Sequence, residues 1–349
     1  MLKKVAKLRN HYDTFDPLDC PPSPPNDYPK AYPVTDVINN WQPDKVDPRP
    51  AKIYQALCIF DYVKDRNQAE VYRKKEKPFI VRNIPELDDT VLRWNDQDYV
   101  KNMFGETLYR AEYSLNNHFM YWRKAERNFL SSLGAGEKYV EPTELISMTY
   151  SEWYDKATTR TNTPDAPHWY FRVSGCSGHS THGNMRGVKA ASCPAPNFPD
   201  IFDELPIFQP KESLFIVEPE QQRGVHCRFG MKGVIAENHF DGSRNMIALM
   251  TGERRYILAH PNQCKNMALL PIGHPSGRHS AVDWSDPDFE KFPQFRDVMA
   301  NEVVLQPGDV LYLPTMWFHY IISLNTNMQC NTRSGKTNDY EKFARTCGF

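Results

Sequence analysis

His239-Phe240-Asp241 is the stretch of this chain best suited to chemistry. On an extended strand, side chains two positions apart share a face, so one imidazole and one carboxylate project together. Taken alone, such a pair is as readily a polar strand end. A histidine from a distant strand would complete two imidazoles and one carboxylate on one side of a metal. That donor set suits Fe(II) and leaves positions open for O2 and a bidentate keto acid. His319 is the candidate. It follows Gln306-Pro307-Gly308-Asp309-Val310-Leu311-Tyr312-Leu313-Pro314 and then Thr315-Met316-Trp317-Phe318, which read as a tight turn, a buried strand and a proline-bounded bend. The alternative for His319 is a hydrogen-bonded core histidine. Its separation of 80 residues from His239 suits a barrel whose early and late strands meet.

A competing metal site is Cys176, His179, His182 and Cys193, a C-x2-H-x2-H-x10-C pattern in a loop rich in Gly and Ser. Two thiolates and two imidazoles can hold zinc tetrahedrally. The spacing is not that of a standard finger, and a loop covering a substrate is the competing reading.

The elements that would position these groups are mostly short strands. The sequence predicts strands at 78–84, 107–114, 118–123, 168–175, 213–218, 226–231, 233–238, 246–250, 254–259, 302–306, 309–314, 319–324 and 328–333. Helices are predicted at 53–64, near 97–104 and over 142–158, and a loop over 175–200. Many short strands with turns between them point to a β-barrel or sandwich. Residues 1–50 form a proline-rich N-terminal arm, with ten prolines between 17 and 50. Proline fixes φ and lacks an N–H, so this stretch is expected to be extended, with neither helix nor inner strand. Residues 51–165 read as flanking helices and early strands, 166–335 as the barrel with a 260–301 insertion, and 336–349 as a tail.

Composition narrows the class. Hydrophobic residues are 40% and charged residues 24% of 349, as in an ordinary globular protein. A formal net charge of −1 gives no overall reason to expect nucleic acid or a membrane surface as partner. No apolar run is long enough to span a bilayer. MLKKVAKLRN lacks an apolar core, so no signal peptide is expected. Eight scattered cysteines without a C-x-x-C pair read as core residues in a reducing compartment, cytoplasmic or nuclear.

Residues 269–324, with HPSGRHSAVDWSDPDFEKFPQF and PGDVLYLPTMWFHYIISL, resemble the jumonji-C (cupin-8) family of Fe(II)/2-oxoglutarate oxygenases. Within it the likeness is greatest to the asparaginyl hydroxylase that inhibits hypoxia-inducible factor. SLNNHFMYWRKAERN at 114–128 resembles an early strand of the same enzyme. The resemblance implies a double-stranded β-helix (jelly-roll) of the jumonji-C type, mainly β with flanking helices. It implies that His239, Asp241 and His319 hold Fe(II), with 2-oxoglutarate and O2 as co-substrates. Arg254 falls where the relatives carry a lysine for the far carboxylate of 2-oxoglutarate, and an arginine fork can take that role. Arg255 beside it leaves the register open by one. Tyr170 would bind the same carboxylate, and Asn245 and Asn331 would also contact the co-substrate. Ala236 stands where the relative has a threonine hydroxyl.

For the prime substrate, the resemblance points to Arg278, His279, Arg333 and Trp317. His279 replaces an amide reader and Arg333 a tryptophan, which implies a different and perhaps acidic group. Tyr121, Trp122, Trp317 and Phe318 would wall the cavity. The implied reaction is hydroxylation of an unactivated C–H bond on a protein side chain. Alternatives are a small-molecule hydroxylase on the same scaffold, an N-methyl-lysine demethylase and a non-enzymatic binding module. The short tail predicts a monomer, or a dimer unlike that relative's.

Overall fold

The computed structural model describes residues 15–134, 136–160, 163–176 and 196–349. Strands are numbered in chain order. Among the described residues, one sheet runs β1 (Tyr32–Pro33), β12 (Met299–Leu305), β11 (Arg254–Ala259), β14 (Phe318–Ser323), β9 (Ile235–Phe240), β5 (His118–Phe119). The larger sheet runs β2 (Ile59–Asp61), β3 (Phe79–Arg82), β13 (Val310–Leu313), β10 (Arg244–Thr251), β15 (Asn327–Ser334), β8 (Val225–Gly230), β7 (His168–Gly175), β4 (Tyr109–Ser114), β6 (Glu144–Met148). From β8 to β15 the chain alternates between the sheets except at β11 and β12, which pair within the smaller one. Four strands of one, β12-β11-β14-β9, face four of the other, β13-β10-β15-β8. That alternation is a jelly-roll.

Strand alternation sorts the side chains into three layers. Between the sheets, Ile247, Leu249, Tyr256, Leu258, Val303, Leu311 and Leu313 fill one end of the barrel. On the outer face of the larger sheet, Phe171, Phe229 and Ala248 pack against helices Pro85–Asn95, Gln97–Phe104 and Tyr150–Thr159 through Leu87, Trp94, Phe104 and Trp153. Each such large apolar side chain stabilises the fold by roughly 2–3 kcal/mol. On the outer face of the smaller sheet, Ile257, Phe318 and Tyr320 are covered by Val37, Trp41, Trp284 and Phe295 from the arm and the insertion.

Several expectations change. Residues 53–64 hold no helix: Leu57 and Ile59 face the barrel interior while Cys58 and Phe60 face the outer layer, a period of two. The 142–158 stretch splits into β6 and helix Tyr150–Thr159, separated by a capping box of Thr149 and Glu152. Residues 213–218 form no strand, although Leu214, Phe215 and Ile216 are buried. The arm does contain a helix, Val34–Asn40, in its proline-free window, and an edge strand, Tyr32–Pro33, paired to β12.

The cysteines also read differently. Cys20–Cys58, Cys227–Cys330 and Cys264–Cys347 are disulfides, joining residues 38, 103 and 83 apart in sequence. Scatter along the chain hid the pairing, because the topology brings distant segments together: Cys227 and Cys330 are cross-strand partners on β8 and β15. Such pairs persist in oxidising compartments, so the cysteines no longer argue for a reducing one. Cys176 is disulfide-bonded as well. His179, His182 and Cys193, the rest of the alternative zinc set, lie outside the described residues.

Candidate metal centre and its cavity

β9 and β14 pair so that His319 lies directly opposite His239. Between them and the next paired residues, Ile321 and Ala236, β14 advances by two residues and β9 by three. This one-residue bulge switches the parity of β9. Ala236 and His239 therefore both line the inner cavity, while Ile235 and Phe240 pack outside and Glu237 turns to His118. Asp241 follows inward just past the strand end. One ligand atom each from His239, Asp241 and His319 lies within 4.8 Å of the others.

Hydrogen bonds fix the orientation. The Nδ1–H of His239 donates to the Glu237 carbonyl at 2.7 Å, and that of His319 to the Trp317 carbonyl at 2.9 Å. Each ring then presents Nε2 with a free lone pair, the arrangement that metal-ligating histidines use. Asp241 accepts from Asn245 at 2.9 Å on one oxygen and from Arg333 at 2.7 Å on the other. Burial pushes both imidazoles below their ordinary values, and for His239 the neighbouring His319 and His279 add to it. Burial would raise Asp241, but Arg333 and then the two imidazoles outweigh it and hold the carboxyl below its usual range. Two neutral imidazoles and a carboxylate are the protonation states a divalent metal requires, so these donors fit Fe(II).

The centre opens into a cavity of about 740 Å³. Tyr170, Asn245, Asn331, Arg278, His279 and Arg333 line it. Asn331 donates to Asn245 at 2.8 Å. His279 stacks on His239 with ring centroids 4.9 Å apart, and burial pushes it down to about 4.

Arg254 points to the interior side, behind Tyr170. Its donors go to the Tyr170 hydroxyl at 3.3 Å, the Arg228 carbonyl at 3.0 Å and Asn327. Arg255 points outward to Glu302 and the carbonyls of Trp41 and Val37. Arg254 is therefore the inward member of the pair, although it is not itself among the residues lining the cavity.

Three expected wall residues lie elsewhere. Trp317 packs in the apolar end of the barrel, and Phe318, one position from inward His319, packs outside. Trp122 donates to Thr143. Only Tyr121 of that group lines the cavity. Sequence reading missed Arg172, Arg228, Tyr256 and Gln329, all of which line it. A period-two signal was present: Tyr170, Arg172 and Ser174 on β7, His226 and Arg228 on β8, and Gln329, Asn331 and Arg333 on β15 all face inward.

The profile of the cupin-like domain family matches residues 65–332. The chain belongs to the cupin-like family. Its similar proteins include tRNA wybutosine-synthesizing protein 5 of Gallus gallus, 36% identical over 107 residues, 30% of this chain and 32% of that one. The Danio rerio form is 27% identical over 134 residues, 38% of each chain. Lysine-specific demethylase 8 of Xenopus tropicalis is 30% identical over 133 residues, 36% of this chain and 29% of that one. The matches thus span about a third of these relatives, and jumonji-C proteins are among those found. Among the described residues, no helix of this cupin-like chain is long and apolar enough to cross a membrane.

Proposed function

We propose that this cupin-like protein is an Fe(II)- and 2-oxoglutarate-dependent dioxygenase that hydroxylates an unactivated C–H bond. The observation that carries the reading is the convergence of His239, Asp241 and His319, each ring locked by a backbone carbonyl so that Nε2 faces a common point. When bound, the iron and 2-oxoglutarate would supply the oxidising power from O2, with succinate and CO2 as co-products. The chain's own part is positioning. Asn245 and Arg333 hold the Asp241 carboxylate in place. Tyr170, backed by Arg254, offers a hydroxyl and nearby positive charge for the far carboxylate of the co-substrate. Asn245 and Asn331 offer amides to it. The apolar end of the barrel keeps water from one side of the site.

A protein side chain is the acceptor that the resemblance suggests, with Arg278, His279 and Arg333 as its readers. The cavity itself favours the small-molecule reading: about 740 Å³ is the size of a small-ligand pocket, and Tyr340, Ala344 and Phe349 of the C-terminal segment form part of its wall. The disulfides favour an oxidising compartment over the cytoplasm or nucleus. The deciding experiment is an anaerobic crystal structure with Fe(II) and 2-oxoglutarate, followed by O2-dependent succinate assays over metabolite and peptide panels. No metal between the three side chains, or no succinate with any panel, would end the proposal.

A further inference from the structure

The cavity carries far more positive charge than the metal centre needs. Arg172 on β7 stands directly opposite Arg228 on β8, and Arg228 directly opposite Gln329 on β15. Like charges placed opposite one another across strands are destabilising. One carboxylate relieves part of this: Glu112 accepts from Arg110 at 3.3 Å and from Arg172 at 2.5 Å. Arg228 has no acidic partner among the described residues, and its one side-chain hydrogen bond runs to the Cys227 carbonyl at 3.0 Å. Burial, followed by Arg172, pushes its guanidinium down to about 9. Arg228 is half-buried, and a cation withdrawn from water is normally paired.

Three more arginines line the same space. Arg123, Arg223 and Arg278 make no side-chain hydrogen bond or ion pair among the described residues. Arg278 is held at a φ of 77°, a conformation that non-glycine residues rarely adopt. Arg333 is already paired with Asp241, and Arg110 and Arg172 share Glu112, so Arg123, Arg223, Arg228 and Arg278 remain unneutralised. The chain as a whole has a formal net charge of −1, so this is a local concentration. The far carboxylate of one 2-oxoglutarate, held at Tyr170 and Arg254, would not absorb it.

We propose that the cavity takes its substrate as a multiply charged anion of small-molecule size, a phosphate ester or a polycarboxylate. Arg228 meets the anion in the interior and Arg223 and Arg278 meet it nearer solvent. Guanidinium forks match both phosphate and carboxylate oxygens in bidentate fashion. Tyr109, Tyr121 and Phe349 in the same wall suit an uncharged body attached to that group. Calling the anion a substrate rests on the oxygenase reading, but its binding does not.

The test is calorimetric titration of the full chain, saturated with Mn(II) and 2-oxoglutarate, with phenyl phosphate, phthalate and benzamide. One or both dianions should bind at least about 10-fold more tightly than benzamide, and their order tells phosphate from dicarboxylate. Arg228→Gln should weaken the tighter dianion about 10-fold or more, the effect of losing a charged hydrogen bond. The Arg223→Gln/Arg278→Gln double variant, at more open positions, carries the same test if Arg228→Gln fails to fold. Equal binding of benzamide, or full dianion affinity in folded Arg228→Gln and in the double variant, would overturn the proposal. If metal and 2-oxoglutarate bind but no dianion does, this proposal falls alone. If a dianion binds through Arg228 while metal and 2-oxoglutarate do not, the anion site stands and the oxygenase reading falls.

Discussion

Two histidine clusters sit on opposite faces of β9, and they are in opposite charge states. Inside, burial keeps His239 and His319 neutral, with lone pairs free for a metal. Outside, His118 lies between Glu237 and Asp44, the latter at 3.5 Å. Burial opposes its charge too, but hydrogen bonds to Asp44 and Glu237 prevail and raise its pKa to about 10. Desolvation acts on all three rings. Inside, burial prevails over the Asp241 carboxylate and the carbonyl acceptors; outside, two carboxylates prevail over burial. One cluster is built to accept a cation, and the other is an ion pair that ties the N-terminal arm, through Asp44, to β5 and β9.

The arginines of β11 repeat the contrast, with Arg254 inward and Arg255 outward. Substitutions on the two faces should therefore separate function from stability. The largest effect is expected from His239→Ala or Asp241→Ala, each of which should abolish metal binding and turnover while leaving the melting temperature of the metal-free protein nearly unchanged. Loss of fold instead would erase the distinction. Arg255→Ala leaves the fully buried Glu302 carboxylate without its cationic partner, with the Tyr54 amide as its remaining donor. It should cost about 3–5 kcal/mol in denaturant unfolding, with little change in the 2-oxoglutarate requirement.

Arg254→Ala should raise the 2-oxoglutarate requirement about 10-fold or more. If Arg255→Ala raises it instead, the inward and outward roles are reversed. His118→Gln should destabilise the fold by about 1–3 kcal/mol and leave metal affinity within a factor of about two. The smallest effect is that of pH. Because the folded pKa of His118 is raised above its unfolded value, its contribution is complete below about pH 6.5 and declines as pH rises toward about 10. In His118→Gln that part of the alkaline decline in stability should vanish. An unchanged profile would show that the outer cluster carries no linked proton.

Much of the inner face was legible in the sequence. The i, i+2 spacing of His239 and Asp241, and the turn and strand leading to His319, are local patterns tied to strand geometry. The bulge was not legible, since a one-residue surplus shows only when β9 is laid against β14. The helix expected at 53–64 failed because Leu57 and Ile59 serve one layer and Cys58 and Phe60 another, and a stretch apolar on both faces has no clear period. The disulfides and the arginines failed for a related reason. Cys227 and Cys330, like Arg172 and Arg228, are neighbours only across strands, and a total charge averages away any local excess.

The extra residue in β9 has a consequence for inheritance. Ahead of it, even-numbered side chains such as Ala236 look inward; beyond it, odd-numbered His239 and Asp241 do. Removing Asn238 would restore unbroken alternation. Both ligands would keep their inward placement and Glu237 its outward seat, but the Asn238 carbonyl, which accepts from the Ser280 amide at 2.9 Å, would be lost. A single-codon deletion there would thus spare the reactive surface and loosen the insertion that carries His279 against it.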